Sequence, residues 1–313
     1  MADISYKTMN EVKRELIEKV KTYPLSKQFS ARLVKPDTWA IYPFNPSSET
    51  PRPHVLVGEE YALVIDPTDT TLALREYIET YITDKPLKVA NTHAHADHTL
   101  ANWQFADCEI FMSDLAWQEI CRMRENWANN PRSKDFPYSD YTPTIIGVGD
   151  TIDLGGRELE VIPYKPCHSP TSLIYLDGTY GILFSGDEID PGQVNMWATP
   201  VETFRDNMLS LLALRDRFDT ICPAHNGTPI HADTLIYFSE NCERIMAGIE
   251  GDMDKGSTSY LLNPFEPRSP ESVEARRFDP EARRSEWMGT AINYNINLIF
   301  NSQLKDFVDK QKK

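Results

Sequence analysis

Two spacings of apolar residues run through this chain and divide it into strands and helices. Val55 to Val57 and Ala62 to Ile65 are short continuous apolar runs flanking Gly58-Glu59-Glu60-Tyr61, which predicts a hairpin stopped by Asp66-Pro67. Leu74, Tyr77, Ile78, Tyr81 and Ile82 recur at helical spacing, so residues 70 to 83 read as an amphipathic helix ending before Pro86. Leu87 to Asn91 then gives a brief strand. The pattern repeats with a strand around Ile110 and Phe111 and a helix from Asp114, with Leu115 and Ile120 on its apolar side. Residues 129 to 144, rich in Pro, Asn, Ser, Asp and Tyr, read as a loop, either surface filler or an active-site lid.

The second half opens with strands over Thr144 to Val148, Thr151 to Leu154 and, across Gly155-Gly156, Glu158 to Pro163. A further hairpin is expected from Leu173 to Leu176 and Gly181 to Phe184 around Asp177-Gly178. Phe204, Met208, Leu211 and Leu212 mark a helix, Thr220 to Cys222 a strand, and residues 232 to 249 a long final helix. With strands and helices in both halves, the expectation is two sheets packed together with helices outside. Beyond about residue 251, Pro264, Pro267 and Pro270 break the order. The division predicted is therefore a domain over 1–250 and a C-terminal appendage over 251–313 packing on it. Arg276-Arg277 and Arg283-Arg284 in that appendage read as solvated helix charges, with an anion pocket as the sharper alternative.

Composition narrows the function classes. A formal net charge of −15 opposes binding to phosphate backbones, so a small-molecule substrate is expected rather than nucleic acid. No run approaches the ~20 apolar residues of a membrane span and the start lacks the apolar core of an export signal, which predicts a cytoplasmic protein. Five cysteines without paired spacing fit reduced thiols.

The chemistry concentrates at His93-Ala94-His95-Ala96-Asp97-His98, directly after the predicted strand at 87 to 91. Three imidazoles and a carboxylate in six residues would repel one another if protonated, whereas a divalent cation draws them together. Three later turns each place a His or Asp after a predicted strand: Cys167-His168-Ser169-Pro170, Ser185-Gly186-Asp187 and Ala224-His225-Asn226-Gly227. His54, Trp103, Asn195 and Trp197 are candidate substrate contacts from their places near these segments.

With His93, His95, Asp97, His98, His168, Asp187 and His225 in this order, the chain resembles the metallo-β-lactamase fold superfamily over roughly residues 30 to 250. The resemblance implies an αββα sandwich of the α/β (α+β) class, two mixed sheets flanked by helices. It implies one metal on His93, His95 and His168, a second on Asp97, His98 and His225, and Asp187 bridging them. Nitrogen and oxygen donors without a required thiolate suit two divalent ions, zinc first, with iron or manganese as the other ions such donors accept. Cys167, a neighbour of His168, is a weaker ligand candidate. Four departures from the family pattern surround the ligands: Thr68, Cys167, Thr171 and Leu100-Ala101 stand where glycines are usual.

The activity implied is metal-dependent hydrolysis, in which water activated by the ions attacks the carbonyl of a small ester, lactone or thioester, or of a cyclic ketone or amide. Asp97 and Asp187 are the expected catalytic carboxylates, orienting that water and passing its proton to the leaving group. Two alternatives share the ligand set: an iron-dependent oxidoreductase resembling the persulfide dioxygenases, and a small phosphodiesterase. Against a di-iron reductase stands His95, where those relatives typically carry glutamate.

Overall fold

The computed structural model describes residues 9–44, 50–130, 133–196, 198–248 and 282–295. Two compact units divide the chain, Met1–Leu159 and Glu160–Lys313. In the first, α1 (Met9–Lys21) precedes the hairpin β1 (Phe29–Lys35) and β2 (Thr38–Pro43). Next come β3 (His54–Val57), β4 (Ala62–Ile65), α2 (Leu74–Tyr81) and β5 (Leu87–Ala90). After β5 follow α3 (Ala96–Thr99), a 3-10 segment (Leu100–Phe105), β6 (Glu109–Met112), α4 (Asp114–Arg124) and β7 (Thr144–Ile145). The strands form one sheet in the order β1 to β7. Pairing is antiparallel from β1 to β4 and parallel from β4 to β7.

That change of direction follows from the connections. Short turns allow antiparallel hairpins, whereas a parallel pair needs a crossover, supplied here by α2, by α3 with its 3-10 extension, and by α4. Every residue of β4 is buried, as its continuous apolar run requires of a central strand. Val55, Val64, Val89, Ile110, Leu74 and Ile78 join one apolar core with Val20 of α1.

The chain continues through β8 (Thr151–Asp153) and β9 (Glu158–Val161), within which the division between the units falls. The second unit adds β10 (Tyr175–Asp177), β11 (Ile182–Gly186), β12 (Val194–Met196), α5 (Val201–Leu212), β13 (Thr220–Pro223), β14 (Ile230–His231) and α6 (Thr234–Ala247). It closes with β15 (Ala282–Trp287) and β16 (Thr290–Asn295). β10 and β11 pair antiparallel, β11 and β13 parallel, and β13 and β14 antiparallel. A separate three-stranded sheet sets β16 between β12 and β15. α5 and α6 pack with Leu176, Leu183, Ile221 and Ile292 in this unit's own core. The protein is therefore of the α/β class, mixed sheets with helices.

Several expected boundaries shift for local reasons. α2 begins at Leu74 rather than 70, because the Thr70 hydroxyl accepts the Leu72 amide and turns the chain before the helix starts. β7 stops at Ile145, since Asp150 caps the Gly147 amide in a turn that carries Gly149 at φ +93°. Leu115 is half exposed and does not lie on the apolar side of α4; Ala116, Ile120 and Met123 do, one step round the helix. Arg284 lies on a strand, not a helix, and donates to Glu286, Asn293 and the Gly192 carbonyl. Arg276 and Arg277 lie outside the described residues. Among those residues, no helix is long and apolar enough to cross a membrane.

Candidate metal centre

In the first unit, the His93–His98 cluster begins where β5 ends, and His95 is the N-cap of α3. The His93 ring lies 4.4 Å from that of His95 and 4.1 Å from that of His98, centroid to centroid. Asp97 Oδ2 stands 3.8 Å from His98 Nε2. Four residues adjacent in sequence thus become one knot of nitrogen and oxygen donors.

Asp66, which the sequence marks only as a strand break, organises this knot. Buried at the end of β4, its carboxylate accepts the Thr92 amide (2.8 Å), the Thr92 hydroxyl (2.6 Å) and His98 Nδ1–H (2.9 Å). Because the Thr92 hydroxyl donates to Asp66, its oxygen accepts from His93 Nδ1 at 3.1 Å. One carboxylate therefore fixes the tautomers of His98 directly and His93 through Thr92, leaving Nε2 of each ring as the nitrogen that could bind a metal. Thr68, next but one, holds φ +69°, a left-handed conformation rare for a β-branched residue, which explains why glycine is usual at this position. Its carbonyl accepts the Ala101 amide, tying this turn to the segment after the histidines.

A second chain of contacts runs outward from the same knot. Asn91 Nδ2 donates to the His98 carbonyl (3.4 Å), Asn102 Nδ2 to Asn91 Oδ1 (2.8 Å) and to the Tyr141 hydroxyl (3.0 Å). Tyr141 belongs to the 129–144 loop, which Arg124 clamps by donating to the Ser139 and Tyr141 carbonyls and stacking 4.3 Å from the Tyr141 ring. The described part of that loop is a braced wall of the first unit. Trp103 is half-buried beside it, near Trp127 and Arg124.

In the second unit, Asp187 stands between two imidazoles, with Oδ2 3.4 Å from His168 Nε2 and Oδ1 3.3 Å from His225 Nε2. Two neighbouring carboxylates hold the loops that carry those histidines. Buried Glu188 accepts the amides of Cys167 (2.8 Å), His168 (3.1 Å) and Ser169 (3.3 Å). Asp190 accepts the amides of His225 (3.2 Å) and Asn226 (2.9 Å). Consecutive amides converging on one buried carboxylate are strong, charge-assisted bonds, so each ligand loop is fixed by its backbone.

The electrostatics of both halves favour a cation. Burial, and then the charge of Asp97, pushes the Asp69 carboxyl up to about 6; burial and then Asp187 push the Asp190 carboxyl up. A bound divalent ion reverses this crowding of like charges. These His and Asp side chains are thus a set that could hold metal. Cys167 is not part of it: its thiol is buried, donates to the Lys165 carbonyl at 3.2 Å and accepts from Asn207 at 3.3 Å. Desolvation raises its pKa, against thiolate formation.

The candidate substrate residues have diverse places. Asn195 lies on β12 and accepts from Asn293 Nδ2 at 2.8 Å, and Trp197 is outside the described residues. His54 starts β3 and is buried, its pKa driven down to about 3 by burial and then by Arg52. Between pH 6.5 and 3 the unfolded chain binds a proton that the folded chain refuses, so stability falls as pH drops through this window. From pH 7 to 5, wild type should lose about 2 kcal/mol more than His54→Gln in urea unfolding. Parallel losses in the two proteins would refute a buried neutral ring.

Comparison with known proteins places this geometry. The model of the Metallo-beta-lactamase superfamily matches residues 53–225. A human protein named acyl-coenzyme A thioesterase MBLAC2 is 28% identical over 174 residues, covering 50% of this chain and 62% of that protein. Its chicken counterpart is 27% identical over 159 residues, 45% of this chain and 57% of that one. The chain therefore spans about three fifths of these relatives' length. Among solved structures, a β-lactamase domain protein from Burkholderia ambifaria gives a TM-score of 0.56 at 19% identity, covering 69% of this chain and 76% of that one. The fold is thus metallo-β-lactamase-like. As the family model accounts for more than half of its length, the chain belongs to the metallo-β-lactamase superfamily.

Proposed function

We propose that the protein is a binuclear metal-dependent hydrolase of small carbonyl substrates, thioesters first, with esters and lactones as chemically related substrates. The observation that carries this reading is the braced donor set: His98 held by Asp66 and His93 through Thr92, with His95 and Asp97 beside them, and Asp187 between His168 and His225 on loops held by Glu188 and Asp190. Similarity to proteins named acyl-coenzyme A thioesterases favours the thioester. In this proposal His93, His95 and His168 would hold one ion and Asp97, His98 and His225 the other, with Asp187 as the carboxylate common to both. Zinc suits these donors best.

Divalent ions there supply Lewis acidity toward a carbonyl and acidify water to a pKa of about 7. The chain's own part is to keep the donors in one protonation state and one orientation. Asp97, 37% exposed, is the carboxylate placed to orient attacking water and carry its proton to the departing thiol or alcohol; Asp187 shares that task. Neither residue needs a basic groove, in keeping with a small substrate and an acidic chain. Five free thiols suit a reducing, cytoplasmic setting. The domain reading is a catalytic region over 1–250 with an appendage over 251–313; within the described residues 282–295 it is supported by the pairing of β16 with β12 and by Asn241 of α6 donating to the Ser285 carbonyl.

The test is a panel of thioesters, aryl esters, lactones and phosphodiesters assayed on protein stripped with chelator and reloaded stepwise with zinc. Thioester turnover should rise in proportion to bound zinc. Undiminished turnover in the stripped protein, or thiol-dependent oxygen uptake in place of hydrolysis, would overturn the proposal.

A further inference from the structure

We infer that Arg52 binds an anionic oxygen group of the substrate, a phosphate or a carboxylate; this rests on the hydrolase reading above. Arg52 lies between Pro51 and Pro53, both buried, whose rings fix φ on either side of it. The Pro53 carbonyl accepts the Ile41 amide at 2.8 Å, pinning the segment to β2. The guanidinium is thus carried on rigid backbone.

Its place in the sheet is the edge that bears the histidines. His54 pairs with Ile65, the last residue of β4, and Ile65 pairs with Ala90, the last residue of β5. Arg52, two residues before His54, extends past the same edge from which His93 emerges. β3 and β5 are separated by one strand, so their backbones stand roughly 10 Å apart. The Arg52 side chain lies over Tyr42 of β2, so a substrate that joins it to the His93 edge would have to span at least this gap.

The guanidinium itself is prepared for a ligand. Its Cζ lies 5.3 Å from the Tyr42 ring centroid, while Nη1 is buried and, among the described residues, has no hydrogen-bond partner. Other arginines drawn inward in this unit have their donors placed: Arg157 on the Asp37 and Val57 carbonyls and Thr38, Arg75 on Asp107, Glu79 and the Gln104 carbonyl. Among the described residues no carboxylate pairs with Arg52, and its neighbour His54 is buried and uncharged at neutral pH. A buried cationic donor without an acceptor is costly, and phosphate or carboxylate is what a planar guanidinium fork receives in two parallel bonds.

The experiment uses the zinc-loaded full chain and its R52Q and R52K variants with three thioesters. Butyryl-coenzyme A carries phosphates on the thiol side, the succinyl thioester of N-acetylcysteamine carries a carboxylate on the acyl side, and its butyryl thioester is neutral. R52Q should raise KM for one anionic substrate at least tenfold more than for the neutral one, and the substrate affected names the source of the anion. R52K, which keeps charge but not the fork, should fall between and also serves if R52Q folds poorly. Equal effects on all three substrates would overturn the inference. Calorimetric titration with coenzyme A and with succinate reads the site without turnover. Binding to wild type that R52Q loses supports the inference even if no thioester is hydrolysed, an outcome that would refute the hydrolase reading alone. Absent or equal binding in both proteins would overturn it.

Discussion

Replacing Asp187 by asparagine should lower thioester turnover about a thousandfold, roughly 4 kcal/mol of transition-state stabilisation. The side chain keeps its shape but loses the charge that stands 3.3 and 3.4 Å from the two second-unit imidazoles. A neutral amide is a poor ligand and cannot balance two divalent ions or share in moving a proton. Because Glu188 and Asp190, not Asp187, hold the ligand loops by their amides, the fold should survive the change. Thermal unfolding of the metal-free proteins and metal content of the loaded ones separate the effects: an unchanged metal-free transition with reduced metal stoichiometry is expected, since bound metal itself adds to stability. Full turnover with both metals retained would remove Asp187 from the centre.

The second large effect is expected at Asp66. Its φ of +49° is one that asparagine tolerates well, so Asp66→Asn leaves the backbone in place and isolates the carboxylate's chemistry. With its carbonyl still accepting the Thr92 amide, the new NH2 group must point where Asp66 now accepts from His98 and the Thr92 hydroxyl. An NH2 facing His98 Nδ1 asks that nitrogen to accept, which moves the ring proton to Nε2 and away from the tautomer a metal needs. The loss should be 10- to 100-fold in metal affinity, as for other partners that orient ligating histidines. Competition against a zinc chelator measures it. Wild-type affinity in Asp66→Asn would mean that the Asp66–His98 bond does not set the tautomer.

Local chemistry makes much of the fold readable in the sequence. The β3–β4 and β10–β11 hairpins follow from apolar runs broken by polar or Asp-Gly turns, and α5 and α6 from their helical apolar spacing. α1, the β1–β2 hairpin, β12, β14 and the β15–β16 pair escaped it. In β1 the burial pattern is irregular, with Leu33 exposed between Arg32 and Val34, so no clean alternation survives in the sequence. β14 spans two residues, too few for a period to show. Leu115 illustrates the same limit from the other side, since one apolar residue gives no helix phase without its neighbours.

For the candidate site the division is sharper. His93, His95, Asp97 and His98 are legible because a cation needs several donors at once and six consecutive residues supply them; His168, Asp187 and His225 become legible in series behind them. The braces do not. Asp66 meets His98 across 32 positions, Glu188 meets Cys167 across 21, and Asp190 meets Asn226 across 36. In a sequence each is an acidic residue in a turn, where acidic residues are ordinary. By itself, then, the sequence determined which atoms can bind metal, because ligand chemistry resides in the residue type. Only the tertiary structure decided how those atoms are oriented and protonated, because a hydrogen bond depends on distance in space and leaves no period in the chain.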